Sequence, residues 1–250
     1  MHQLAGPSRR RWEHRRGPED RRPARWLGGL ARFRQSGLAR SGGAGLARFR
    51  RGGLATACAA GLLLVLAGAV AAPAATSTLY VDKSNPSCSN SGPGNSAVPY
   101  CSIAKAATAA SAGQTVLVAA GTYAETVTVG RSGTASAPII FRAQGAVTVR
   151  GATYGFRISS KSWITVRGFT ITDTVKEGIL VSGSSNITLT GNRVTSAGTP
   201  ASGQTAQGIE LSGTNDATVS ANVTDHNSEA GIQLSGSSTR NVVAGNESFA

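Results

Sequence analysis

Trp163-Ile-Thr-Val-Arg-Gly-Phe169 is followed by Asn186-Ile-Thr-Leu-Thr-Gly-Asn192, then by Asp216-Ala-Thr-Val-Ser-Ala-Asn222 and Arg240-Asn-Val-Val-Ala-Gly-Asn246. Between these phrases lie Gly178-Ile-Leu-Val-Ser-Gly183, Gly208-Ile-Glu-Leu-Ser-Gly213 and Gly231-Ile-Gln-Leu-Ser-Gly236. Gly155-Phe-Arg-Ile-Ser-Ser160 opens the series 23 residues before Gly178. A further 30 residues reach Gly208, and 23 more reach Gly231. A period near 23 with short β-rich runs predicts a parallel β-helix, an all-β solenoid in which each repeat is one coil. No coil buries its apolar residues alone, and stacking sets like over like at about 4.8 Å.

Alternation along each run separates inside from outside. Ile179, Ile209 and Ile232 are expected to point inward, with Val181, Leu211 and Leu234. Leu180, Glu210 and Gln233 are expected to point outward, with Arg157 one coil earlier. The glycines suit corners needing positive φ or close approach. Asn192, Asn222 and Asn246 suit a corner where Asn tolerates the left-handed region and its amide bonds to the next coil. The seven extra residues of the 30-residue repeat fall between Ser196 and Gln207.

The charge is divided unevenly. Residues 1–53 carry 14 Arg against Glu13, Glu19 and Asp20, a net of +11 out of +13 for the chain. The rest is nearly neutral and rich in Thr, Ser, Val, Gly and Asn, which suits a sheet-rich solenoid. The basic head holds an eight-residue repeat, Gly29-, Gly37- and Gly45-Leu-Ala-Arg then Gly53-Leu-Ala-Thr. It reads as low-complexity, disordered sequence that could precede the true start, so nucleic acid is not expected as a partner.

Residues 54–75 read as a secretion signal. Arg48, Arg50 and Arg51 flank Gly61-Leu-Leu-Leu-Val-Leu-Ala-Gly-Ala-Val70, and Ala72-Pro-Ala74 supplies small residues for cleavage. Arg50-Arg51 suggests twin-arginine export, but Gly52-Gly53 departs from its context. The apolar run is short for a membrane span, so membrane contact is expected only through this signal. Cys88 and Cys101 remain in a loop punctuated by Pro86, Gly92-Pro-Gly94 and Pro99, where a disulfide is expected in an exported protein.

Residues 76–250 are assigned to the β-helix. Thr78–Val81 reads as a first strand. Residues 102–113 read as a short helix, N-capped by Ser102 and stopped at Gly113, with Ile103, Ala106, Ala107 and Ala110 on one face. This helix is expected to cover the open end of the solenoid. Residues 115–118, 125–129, 139–141 and 147–149 supply the first coils. Asn246-Glu-Ser-Phe-Ala250 is expected to continue into another coil, making the chain a fragment of a longer protein.

The helix, the phrase Gly113-Gln-Thr-Val-Leu-Val-Ala-Ala-Gly-Thr-Tyr123 and the coils after it resemble the N-terminal part of a secreted right-handed parallel β-helix protein. The resemblance is to the pectate-lyase-like superfamily, closest to the family-nine pectate lyases and their bacterial relatives, over residues 78–250. It implies a sugar groove on the Gly-Ile-x-Leu face. It also implies Ca²⁺ held by aspartates at that strand and a Lys that removes the proton α to a uronate carboxyl.

This chain departs from that pattern. Where paired aspartates would precede the strand Gly, it has Lys176-Glu177-Gly178, Ala206-Gln207-Gly208 and Glu229-Ala230-Gly231. Asp173 and Asp225 are expected at equivalent loop positions two coils apart, about 9.6 Å, too far to share one Ca²⁺. No metal ligand or catalytic residue is assigned within the chain, and Ca²⁺ is expected only with the full-length protein. Lys176 beside Glu177 is expected to form a solvated ion pair. His226 beside Asp225 is expected to be surface decoration. Arg157, Glu210 and Gln233 are the candidate substrate contacts.

The expected function is that of an exported protein acting on or binding an extracellular acidic polysaccharide such as pectin, with Ca²⁺-dependent β-elimination as its enzymatic form. The rival is a non-catalytic carbohydrate-binding or cell-surface scaffold. A glycoside hydrolase would need a close carboxyl pair. Glu210 and Glu229, on adjacent coils but four residues out of register, do not supply one.

Overall fold

The computed structural model describes residues 77–199 and 205–249, all within one compact unit. The Arg-rich head and the segment expected to be a secretion signal lie outside the described residues. Among the described residues, no helix is long and apolar enough to cross a membrane.

The chain enters through β1 (Thr78–Val81), α1 (Ile103–Ala109), β2 (Thr115–Tyr123), β3 (Val127–Thr128) and β4 (Ile139–Arg150). Three-strand coils then repeat: β5 (Phe156–Ser159), β6 (Ser162–Arg167), β7 (Thr170–Thr172); β8 (Ile179–Ser182), β9 (Ser185–Thr190), β10 (Arg193–Thr195). They continue with β11 (Ile209–Ser212), β12 (Thr218–Ser220), β13 (Val223–Asp225); β14 (Ile232–Ser235), β15 (Val242–Ala244), β16 (Glu247–Phe249).

Every strand pairing in the coils is parallel and joins one coil to the next. The first face runs β3-β5-β8-β11-β14. The second runs from β4 through β6, β9 and β12 to β15, and the third from β4 through β7, β10 and β13 to β16. The strands expected separately at 139–141 and 147–149 are one strand. Ile139–Arg142 pairs with β6 and Thr148–Arg150 with β7, so β4 belongs to both faces. The strand expected over 125–129 shrinks to β3.

The columns are in register. Ile179, Ile209 and Ile232 pair in succession, continuing Phe156. Ile158, Val181, Leu211 and Leu234 do the same two residues on. Phe156, Ile158, Ile179, Val181, Ile209 and Leu211 are fully buried. Phe141, Phe156 and Phe169 pack edge-to-face inside, with centroids 5.8 and 5.0 Å apart. Leu234 is 44% exposed, because no described coil stacks beyond it.

The corners explain the repeated phrases. Gly168, Gly191, Ala221 and Gly245 adopt positive φ, one residue before Phe169, Asn192, Asn222 and Asn246. The asparagines therefore do not take the left-handed conformation expected of them. Their side chains instead form a ladder. Asn192 Oδ1 accepts from the Phe169 N–H, and Asn192 Nδ2 donates to the Val166 carbonyl and to Asn222 Oδ1. Asn222 repeats this toward Leu189 and Asn246. Ser184, Thr214 and Ser238 form a second polar column, each hydroxyl donating to a strand carbonyl. Both columns satisfy backbone groups that the corners would leave unpaired.

Helix α1 is capped by Ser102, whose hydroxyl accepts from the Lys105 N–H at 3.3 Å. Glu125 adds a cap from a distant loop, accepting from the N–H groups of Ile103 and Ala104 at 2.8 and 2.9 Å. The helix ends at Ala109, before the expected stop at Gly113. Ile103, Ala106, Ala107 and Ala110 are buried in the common core, the face the spacing predicts. Cys88 and Cys101 form the expected disulfide.

Candidate functional site

The first face presents two outward columns, because a strand alternates its side chains. One is Arg157, Leu180, Glu210 and Gln233, in register across four coils. The other is Ser159, Ser182, Ser212 and Ser235. The three candidate contacts thus share one line, with Arg157 exposed and Glu210 and Gln233 half-buried. The serine column was missed by sequence reasoning, although the recurring Ser of Gly-Ile-x-Leu-Ser signals it. It also engages the candidates: Ser235 Oγ donates to Glu210 Oε1 at 2.8 Å.

A cationic and aromatic cluster stands at β5, the second strand of this face. The Arg157 guanidinium lies 5.7 Å from the Tyr154 ring centre, and the Lys176 ammonium 5.9 Å from it. Two backbone bonds bring the loops together, Val175 N–H to the Ala152 carbonyl and Lys176 N–H to the Thr153 carbonyl. Lys176 therefore flanks Tyr154, and among the described residues it forms no ion pair with Glu177. Glu229, in the equivalent loop two coils on, accepts from Gln207 Nε2 at 2.7 Å.

The third face carries the chain's one buried carboxylate among the described residues. Asp225 is 1% exposed. Its Oδ1 accepts from the Thr195 hydroxyl at 2.6 Å and faces His226 Nδ1 at 2.8 Å, while Arg193 lies 2.8 Å from Oδ2. Burial pushes the carboxyl pKa up. The bonds from Thr195 and His226 and the charge of Arg193 outweigh it and hold Asp225 below the ordinary range. His226 is held by Asp225 rather than free, with two-thirds of its side chain exposed.

The two aspartates are not equivalent, contrary to the expectation from loop spacing. Asp225 pairs with Thr195, and Thr195 with Thr172. Asp173 falls one position later, at the left-handed corner it shares with Ser196 and His226. Asp173 lies 3.3 Å from the Arg150 guanidinium. Each aspartate is thus neutralised by an arginine, a donor set that does not fit a shared Ca²⁺. Among the described residues, no three His, Cys, Asp or Glu side chains gather closely enough to hold a metal.

Residues 142–249 match the family described as "Right handed beta helix region". The structure resembles that of pectate lyase Pel9A, with 21% identity and a TM-score of 0.56, over 69% of this chain and 48% of that one. It also resembles a rhamnogalacturonan lyase, with 18% identity and a TM-score of 0.43, over 64% and 50% of the two chains. A third is the GH136 lacto-N-biosidase from Eubacterium ramulus, with 13% identity and a TM-score of 0.47, over 64% and 34%. No curated protein matches in sequence. The chain spans about half the length of the pectate lyase. The ladders, the family match and this likeness together define a right-handed parallel β-helix.

Proposed function

We propose that this is an exported protein whose first face binds an extracellular acidic polysaccharide of the pectin type, with the chain lying along the coils. The observation that carries the reading is Tyr154 flanked by Arg157 and Lys176. An aromatic ring offers a platform for the apolar side of a sugar, and two cations beside it match a uronate carboxylate. Glu210, Gln233 and the serine column continue the polar surface across later coils. The signal segment is its membrane contact during export.

Ca²⁺-dependent β-elimination is the enzymatic form of this proposal. The described carboxylates do not supply its ligands, and no step through Ca²⁺ is derived. The non-catalytic scaffold reading is favoured by the engagement of Glu210 with Ser235 and of Asp173 with Arg150.

Calorimetric titration of the full chain with hexagalacturonate tests the binding. Binding is expected to weaken about tenfold or more in Arg157→Ala/Lys176→Ala, and to weaken with salt. Absence of binding to hexagalacturonate, or binding indifferent to both substitutions, overturns the reading. Ultraviolet absorbance of unsaturated uronates released with Ca²⁺ separates the lyase from the scaffold.

A further inference from the structure

The second face carries a groove that the acidic-polysaccharide reading does not use. It has a volume of about 340 Å³, and its lining includes Trp163, Thr165, Asn186, Thr188, Asp216 and Thr218. Thr165, Thr188 and Thr218 pair in succession on β6, β9 and β12, so their side chains recur at each coil. Neighbouring Ser162 and Ser185 bond to each other at 2.9 Å. Among the described residues, no hydrogen bond occupies the three threonine hydroxyls or the Asn186 amide.

Trp163 is the aromatic member of its corner. It adopts φ +59° at the corner where the next coils place Asn186, Asp216 and Arg240 in the same conformation. Asn and Asp tolerate that region, whereas Trp163 and Arg240 are both strained there. The strained ring is nonetheless half-exposed at one end of the groove. The indole offers a flat apolar surface, and the threonine and asparagine groups offer donors and acceptors at regular intervals beyond it.

The charge of the lining narrows the occupant. No Lys, Arg or His lines the groove. Its one carboxylate, Asp216, is neutralised by Arg240 through two bonds of 2.7 Å. A uronate chain would find no cation among the lining side chains, in contrast to the Tyr154 cluster; the nearest, Arg142 and Arg167, stand one outward column away on the same face. We propose that this groove is a second carbohydrate site, for a neutral pyranose chain that stacks one ring on Trp163 and lays the next units across Thr165, Asn186, Thr188 and Thr218. The protein would then hold an acidic glycan on one face and a neutral glycan on another, as a cross-linker of mixed polysaccharides does.

The test is calorimetric titration of the full chain with cellohexaose, xylohexaose and mannohexaose, with hexagalacturonate in parallel. At least one neutral hexasaccharide is expected to bind and to change tryptophan fluorescence, the change disappearing in Trp163→Phe. Thr188→Val, nearly isosteric and on the sheet surface, is expected to weaken neutral binding at least fivefold and leave the melting temperature and hexagalacturonate binding unchanged. Arg157→Ala is expected to show the reverse pattern. No binding of any neutral hexasaccharide, or neutral binding unaffected by Thr188→Val, overturns the proposal. Loss of hexagalacturonate binding in Thr188→Val would also overturn it, by making the groove an acidic-glycan site.

Discussion

Asn222 Oδ1 accepts from both the backbone N–H and the side-chain amide of Asn192, each at 3.0 Å, across 30 residues of sequence. Asn222 in turn donates to the Leu189 carbonyl at 2.9 Å and to Asn246 Oδ1 at 3.0 Å. It is fully buried.

Asn222→Ala therefore strands several buried groups at once. The expected loss is about 3 kcal/mol, seen as a lower urea midpoint with an unchanged slope. Asn246→Ala, at a half-buried rung, is expected to cost less. Equal effects would show that the ladder does not act through burial.

The glycine columns act in two different ways, and substitution separates them. A Cβ on Gly178 would collide with Val194 Cγ1 and approach the Gly208 carbonyl oxygen to 2.8 Å. Gly178→Ala is expected to cost about 3 kcal/mol. Gly191, at φ +62°, has open space around its Cβ position, so Gly191→Ala costs only the left-handed strain, about 1 kcal/mol. Ala221 already bears that strain at φ +53°, and Ala221→Gly is expected to raise the melting temperature slightly.

Much of this was legible in the sequence because a solenoid writes its neighbours at a fixed interval. Ile179, Ile209 and Ile232 could be aligned by counting from the glycines, and the inward and outward columns followed. Counting five residues back from Gly178 and Gly231 would also have matched Asp173 with His226. The differing residue types at that corner, Asp, Ser and His, hid the match. The cluster at Tyr154 was not legible, because Tyr154 and Lys176 stand in corner loops that do not repeat, although Arg157 lies on β5. The burial of Asp225 depends on Arg193, which pairs with Val223 and reaches diagonally. The Glu125 cap crosses from one irregular loop to another and leaves no periodic trace.

Acid is expected to destabilise the β-helix partly through Asp225. Its carboxyl is held below the ordinary value of about 3.9, so the stabilisation is in place above that value and is lost as pH falls through the folded pKa. Asp216, lowered by its bond from Arg240, acts in the same direction. Melting temperature followed from pH 7 downward should fall below about pH 4, and less steeply in Asp225→Asn. An unchanged acid profile in that variant would remove Asp225 from the account.

Arg193→Met leaves the Asp225 carboxylate buried without its cation. A loss of about 2 kcal/mol at neutral pH is expected, measured by urea unfolding. Asp225→Asn/Arg193→Met should recover part of it, since the stranded charge is then gone.

The Cys88–Cys101 disulfide closes a loop with a sequence separation of 13. Cys88→Ser/Cys101→Ser is expected to lower stability by about 3 kcal/mol, read from the urea midpoint. The coils from β5 onward should keep their hydrogen-exchange protection, because each coil contacts chiefly its immediate neighbours.

The coil between Gly178 and Gly208 is seven residues longer than those around it, yet Ile179 and Ile209 still pair. The surplus enters between Ser196 and Gln207. Asn227 Oδ1 accepts from the Ala197 N–H, and Ser228 Oγ accepts from the Ala206 N–H, fastening both sides of the insertion. This corner therefore tolerates a change of length that the strands would not. Replacing the segment is therefore expected to leave the scaffold undisturbed, and a foreign peptide spliced there would start and end at fastened residues.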